Sequence, residues 1–77
     1  MGELRDIPAR EAIKAFERAG GMVRRGKGSH INIEMPNGRT VTFAQPRKDV
    51  KIGLLKDMLK RAEMTQDEFL LHLGRKH

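Results

Sequence analysis

The sequence predicts an α+β fold with the element order α-β-β-β-α-α. Apolar residues first recur at helical spacing, then alternate along short segments between glycine-rich turns, and return to helical spacing after Pro46. A chain of 77 residues suffices for one small domain with a thin core. We therefore expect a single domain, residues 1–77, built from a three-stranded antiparallel sheet with helices on one of its faces.

The first helix is expected to start at Pro8 and to stop at Gly20-Gly21. Proline suits the first turn of a helix, where its missing N–H has no partner to lose. The apolar face of this helix is made by Ala9, Ala12, Ile13, Phe16 and Ala19. The stripe needs an apolar partner, which a sheet can supply.

Three strands are expected next, separated by two short turns. Met22-Val23 begins the first strand, and Gly26-Lys27-Gly28 turns the chain into the alternating run Ile31–Met35. The second turn is Pro36-Asn37-Gly38, whose Asn-Gly pair suits the positive φ of a tight hairpin. Residues 39–43 then form the third strand. Short turns make neighbouring strands antiparallel.

Alternation assigns the two faces of this sheet. The residues expected to face the helices are Ile31, Ile33, Val41 and Phe43. The opposite face is left open. It carries the side chains that alternate with these, including Thr40 and Thr42.

The chain after Pro46 is predicted to form two helices. The apolar stripe of the longer one consists of Ile52, Leu55, Met58, Leu59 and Ala62. Thr65-Gln66-Asp67-Glu68 has the form of a capping box and starts a short C-terminal helix. Its inward residues are Phe69, Leu70 and Leu73.

The composition points to an anionic partner. Lys and Arg number 16 against 10 Asp and Glu, which gives a net charge of +6 and a pI near 10.3. Nucleic acid is the leading expectation, and a basic surface without a partner is the alternative. The absence of cysteine excludes disulfides, thiolate catalysis and cysteine-based zinc sites, and it fits a reducing cytoplasm. No segment has the length and apolarity of a membrane span, so we expect a soluble cytoplasmic protein with no membrane partner.

His30 is the candidate catalytic residue. It follows Gly28-Ser29 at the head of an alternating strand, which places it on the open face with Asn32 and Glu34. A histidine changes protonation state near neutral pH, so it can accept the proton of a ribose 2′-hydroxyl that attacks the adjacent phosphate. The alternative is an exposed histidine with no role.

The neighbouring cations and turn residues would assist that chemistry. Arg24, Arg25 and Lys27 would hold a polyanion beside the imidazole. Lys27 is the first choice for stabilising charge on the phosphorane, and Arg47-Lys48 come next. Ser29 would hydrogen-bond either a phosphate oxygen or the backbone. The glycines of Gly26-Lys27-Gly28 would let backbone amides approach a phosphate, or they serve the turn alone.

The sequence does not favour a metal site or any other cofactor. His30 lies far along the chain from the other two histidines, and the acidic residues are scattered along the chain. His30, Asn32 and Glu34 share a face, but they include too few strong ligands for a two-metal nuclease.

The order of these motifs resembles the HicA family of toxins. The resemblance spans about Arg10 to Leu71 and includes Gly28-Ser29-His30, Pro46-Arg47 and Gly53-Leu54-Leu55. It implies a fold like that of double-stranded-RNA-binding domains, α-β-β-β-α with a short extra C-terminal helix, and an mRNA interferase whose catalytic histidine is His30. It also implies a HicB-like antitoxin that occludes the active site. Because the site is cationic, we expect this antitoxin to be acidic.

Two positions depart from the family pattern. Lys48 follows Pro46-Arg47 where members often carry another histidine, and Leu54 stands where threonine is frequent. No second catalytic histidine is therefore assigned. A non-catalytic module that recognises RNA by shape is the alternative function, and an adaptor for an acidic protein is a third. Alone, the chain is expected to be monomeric or weakly associated, because its own core uses its apolar stripes.

Overall fold

The computed structural model describes residues 6–73 and confirms the α+β class and the order of the predicted elements. Their arrangement is compatible with the fold of double-stranded-RNA-binding domains. In chain order the elements are β1 (Ile7–Pro8), α1 (Ala9–Arg18), β2 (Met22–Arg25), β3 (Ile31–Glu34), β4 (Thr40–Phe43), β5 (Asp49–Val50), α2 (Ile52–Ala62) and α3 (Gln66–His72).

Strands β2, β3 and β4 form an antiparallel sheet with β3 in the centre. Ile33 lies opposite Val23 on one side and Val41 on the other, and both Ile33 and Val41 are buried. Asn32 lies opposite Arg24 and Thr42 on the other face. The helices cover the first face, as predicted, and the face that carries Asn32 is open to solvent.

The turn between β3 and β4 differs from the tight Asn-Gly turn that the sequence suggests. The Met35 N–H donates to the Arg39 carbonyl at 2.7 Å, and the Gly38 N–H donates to the Met35 carbonyl at 2.9 Å. Of the loop residues 36–38, Gly38 alone has a positive φ, 86°. Pro36 has a fixed negative φ and suits the first central position of a type I turn, and a left-handed glycine then completes a three-residue loop. This loop length places Thr42 opposite Asn32.

Two glycines end α1 and allow it to approach the sheet. Gly20, with φ 105°, donates its N–H to Glu17 O, and Gly21 donates to Phe16 O, both at 3.0 Å. This is the Schellman pattern, in which the last helical carbonyls are satisfied. A Cβ on Gly21 would lie 2.5 Å from Cγ2 of Ile33. The second glycine is therefore required by the contact between helix and sheet.

The sequence pattern did not predict β1 and β5, which pair Ile7 with Val50. Two-residue strands carry no periodicity, so no local signal marks them. The pairing brings Asp6 to the start of α2, where its Oδ1 accepts a hydrogen bond from the Ile52 N–H at 2.9 Å. Asp6 Oδ2 also lies 3.8 Å from Nζ of Lys51. The first described residues thereby anchor α2.

The core is organised around Phe16, which is fully buried. Its ring meets Phe43 of β4 at a centroid distance of 6.1 Å and Phe69 of α3 at 5.2 Å. The predicted capping box of α3 is confirmed: Glu68 N–H donates to Thr65 Oγ1 at 3.1 Å, and Thr65 N–H donates to Glu68 Oε1 at 2.9 Å. The short helix is thus held by its cap and by one buried aromatic ring.

Candidate active site

His30 lies between the turn 27–29 and strand β3, and its side chain is exposed. The Gly26 N–H donates to the His30 carbonyl at 2.9 Å, while the His30 N–H donates to the Lys27 carbonyl at 3.1 Å. Gly26 and Lys27 therefore both face His30, as in a β-bulge. Bulges redirect side chains and are frequent beside active sites.

The imidazole of His30 is oriented by the same turn. Its Nδ1 lies 3.0 Å from the carbonyl oxygen of Lys27. A carbonyl only accepts hydrogen bonds, so Nδ1 must carry a hydrogen and donate it. In the neutral ring the lone pair is then on Nε2. The arrangement presents a proton acceptor at the exposed edge of the ring.

Ser29 joins this turn to the end of β4. Its hydroxyl donates to the carbonyl of Ala44 at 3.3 Å. Of the two roles expected for Ser29, the structure shows the contact with the backbone, and the hydroxyl oxygen still has lone pairs to accept a hydrogen bond. Gly28 has a φ of 62° at the first central position of the turn, a conformation that glycine adopts without strain.

Gly26 leaves room for two side chains to come together. A Cβ on this residue would lie 3.0 Å from Nδ2 of Asn32 and 3.3 Å from Cβ of His30. The missing side chain thus leaves room for the Asn32 amide and Cβ of His30 on either side of the same glycine.

Asn32 is also held from the opposite strand. The hydroxyl of Thr42 donates to Asn32 Oδ1 at 2.8 Å. Alternation predicts that Asn32 shares the face of His30, but it does not predict this cross-strand bond. The loop length at 36–38, which sets the register, is the sequence signal that would have revealed it.

The predicted basic segment does not form one cluster around the imidazole. Arg24 lies opposite Asn32 on the open face, whereas Arg25 lies opposite Ile31 and so projects from the other face. Arg24 Nη2 lies 3.3 Å from Glu34 Oε1, and both side chains are about half exposed or more, at 63% and 49%. This ion pair directs the guanidinium toward Glu34 and away from His30.

Lys27, Arg47 and Lys48 are exposed at the end of the sheet that carries His30. Lys27 belongs to the turn 27–29 that precedes His30, which we call the His30 turn. The chain leaves β4 through Ala44, beside Ser29, and then forms the turn in which the Lys48 N–H donates to the Gln45 carbonyl at 3.0 Å. The Lys48 carbonyl in turn accepts from the Ala9 N–H at 3.2 Å. Hydrogen bonds therefore hold in place both turns that carry these cations, the turn with Lys27 and the turn with Arg47 and Lys48.

Metal-ligating side chains are dispersed in this structure. Across residues 6–73, no three His, Cys, Asp or Glu side chains come close enough together to hold a metal ion.

The described part of the chain also contains no helix with the length and apolarity needed to cross a bilayer.

Comparison with known proteins identifies one family. Residues 9–64 match the family described as HicA toxin of bacterial toxin-antitoxin. The match covers α1, the three-stranded sheet with the His30 turn, and α2. No curated protein and no solved structure matches the chain significantly. The chain belongs to the HicA family of toxins from bacterial toxin-antitoxin systems.

Proposed function

We propose that this toxin is an mRNA interferase, an endoribonuclease that uses His30 as its general base and needs no metal ion. Membership of the HicA family makes the protein a toxin with a nuclease role. The observation that carries the assignment to His30 is the hydrogen bond from Nδ1 to the Lys27 carbonyl, which leaves Nε2 as the proton acceptor. The exposed position of the ring gives an RNA strand access to it.

In the proposed reaction, Nε2 of His30 accepts the proton of a ribose 2′-hydroxyl. The 2′-oxygen attacks the adjacent phosphorus, the bond from phosphorus to the 5′-oxygen breaks, and that oxygen takes up a proton from water. The hydroxide left behind then takes the proton from the imidazolium, which restores the neutral ring. The products are a 2′,3′-cyclic phosphate and a 5′-hydroxyl. As the imidazole becomes positively charged, the Lys27 carbonyl oxygen continues to accept from Nδ1 and stabilises the charged ring.

Lys27, Arg47 and Lys48 are proposed to hold the phosphates near His30. They are exposed cations on the two turns at this end of the sheet. Ser29 and the glycines of the turn, Gly26 and Gly28, are proposed to let the backbone approach a phosphate. Arg24 and Arg25 extend the positive surface along β2 on its two faces. Such contacts supply affinity that depends on salt and not on sequence.

A toxin of this family implies an antitoxin. We propose that the antitoxin is an acidic, HicB-like protein that covers His30 and residues 24–27 in the cytoplasm. A net charge of +6 favours rapid association with an acidic surface. Covering the histidine would exclude RNA from the site directly.

The test of the function is cleavage of a purified transcript in EDTA, followed by analysis of the new ends. We expect cleavage to persist in the chelator and to leave 2′,3′-cyclic phosphates, while an all-deoxy strand of the same sequence stays intact. Loss of activity in EDTA with recovery in magnesium would contradict the mechanism. Binding of the transcript without any cleavage would instead support the alternative, a non-catalytic RNA-binding module.

A further inference from the structure

We propose that Asn32 is a second catalytic residue, whose side-chain amide donates a hydrogen bond to a non-bridging oxygen of the phosphate under attack. This inference rests on the proposed role of His30 and adds the group that stabilises the charge formed when the 2′-oxygen attacks.

The orientation of the Asn32 side chain is set by Thr42. Because the Thr42 hydroxyl donates to Oδ1 at 2.8 Å, the carbonyl end of the amide faces β4. The Nδ2 end points the other way, toward Gly26, which directly follows β2. The two N–H groups are therefore held in place before any substrate binds.

These N–H groups have no partner within residues 6–73. In this part of the chain, the side-chain hydrogen bond of Asn32 uses Oδ1, and the residue is half buried. An amide nitrogen has two donors and no accepting lone pair, so it suits an anionic oxygen. A donor that is oriented in advance and partly withdrawn from water stabilises developing charge more strongly than water does.

The amide and the proposed base also flank the same glycine, Gly26. The position where a Gly26 Cβ would stand is 3.0 Å from Asn32 Nδ2 and 3.3 Å from His30 Cβ. Residues two apart on one strand face are separated by roughly 7 Å. One phosphodiester can thus meet the imidazole with its ribose and the amide with its phosphate.

The cross-strand neighbour of Asn32 leaves the amide uncovered. Arg24 lies opposite Asn32 in the sheet, but its guanidinium pairs with Glu34 on the side away from His30. The donor is thus accessible on the side that faces the histidine. An anionic oxygen beside His30 would meet the amide and not the guanidinium.

The experiment compares single-turnover cleavage of one RNA by the parent, N32A, N32D, T42V and T40V. N32A removes the donor without adding charge, and we expect the cleavage rate to fall about 100-fold or more while the RNA dissociation constant changes less than about threefold. N32D keeps an oxygen to accept from Thr42 but has no N–H, so its rate should fall at least as far. T42V removes the hydroxyl that holds the Asn32 amide, and the cleavage rate should fall about tenfold. T40V is the control: it removes a threonine hydroxyl from the same strand at the position opposite Glu34, and its cleavage rate should match that of the parent.

A phosphorothioate at the cleavage site separates catalysis from structural support. Sulfur in place of the contacted oxygen is a weaker acceptor, so one diastereomer should react more slowly than the oxygen substrate with the parent. That difference should disappear with N32A. A slow N32A variant with an unchanged sulfur effect would overturn the proposal, and so would N32A and N32D that cleave at the parent rate. N32D retains the Thr42 contact, so it decides the question if N32A fails to fold.

H30A assayed on the same RNA distinguishes the two levels of the proposal. If H30A is inactive and the Asn32 variants cleave normally, the assignment of Asn32 fails and that of His30 stands. If H30A cleaves like the parent, the role of His30 fails and the role of Asn32 fails with it.

Discussion

Lys27 accepts two hydrogen bonds from His30 through one carbonyl oxygen, one from the backbone N–H at 3.1 Å and one from ring Nδ1 at 3.0 Å. The orientation of the imidazole is therefore coupled to the backbone of its own turn. Ser29 ties that turn to Ala44 at the end of β4. Changes to the turn should consequently affect activity more than stability.

We predict that His30→Ala abolishes RNA cleavage and growth arrest while the free energy of unfolding changes by no more than about 0.5 kcal/mol, as is usual for exposed residues. The matched control is His72→Ala in α3, which should retain cleavage because His72 lies on a different element, with its carbonyl bonded to Arg18. Denaturant unfolding and a transcript assay measure the two quantities. Full cleavage by the His30 variant would refute the catalytic assignment.

Gly26→Ala should reduce the cleavage rate by about tenfold or more. The new Cβ would stand 3.0 Å from the Asn32 amide and 3.3 Å from His30 Cβ, so both must shift. A misplaced catalytic group commonly costs about this much or more. Gly53→Ala is the control, since its Cβ meets nothing within 4 Å in α2. This control should cleave normally and gain up to about 1 kcal/mol of stability. Equal activity of the two variants would show that the spacing of Asn32 and His30 is unimportant.

Neutralising Lys27 should weaken RNA binding across sequences. For a single-stranded RNA, Lys27→Gln is expected to reduce the slope of log affinity against log salt by about 0.7 for each phosphate that the side chain no longer neutralises. Lys56→Gln on the exposed side of α2 is the matched control. If the Lys56 variant alone changes the slope, the RNA-binding surface lies on the helices and not on the His30 turn.

Complex formation with the antitoxin should protect the amides of residues 24–32 from hydrogen exchange. Strand β2 is an edge of the sheet, so its outer N–H groups exchange readily until a partner covers them. The measurement uses the small acidic protein that we expect the neighbouring reading frame to encode. Protection confined to the helical face, in a complex that still cuts RNA, would exclude occlusion of His30.

Glu63→Gly should stabilise the protein by roughly 0.5 to 1 kcal/mol. Glu63 ends α2 with a φ of 57°, a left-handed conformation that costs a non-glycine residue free energy. The control is Glu17→Gly within α1, where the backbone is helical, and this change should destabilise by a similar amount. Thermal or denaturant unfolding of both variants gives the comparison. If both variants are less stable than the parent, the Glu63 side chain must make a contact that stabilises the fold by more than its left-handed backbone costs.

The sequence by itself determined the three helices, the three strands of the larger sheet and the faces that they present, but not the short pair β1 and β5. The apolar period of α1, the alternation through Ile31 and Ile33, and the capping box at Thr65 are local signals, because each depends on residues a few positions apart. The same alternation placed His30 and Asn32 on one face. The family match extends over most of these elements, from α1 to the end of α2.

The tertiary structure alone decided which atoms meet. Pro36 sets a three-residue loop, that loop sets the register of β3 against β4, and the register brings Thr42 to Asn32. A shift of one residue would exchange the two faces of a strand, and local propensity does not choose between the alternatives. The Nδ1 contact of His30 likewise depends on the path of the turn. Register and turn geometry are properties of the packed chain, whereas periodicity is a property of each segment.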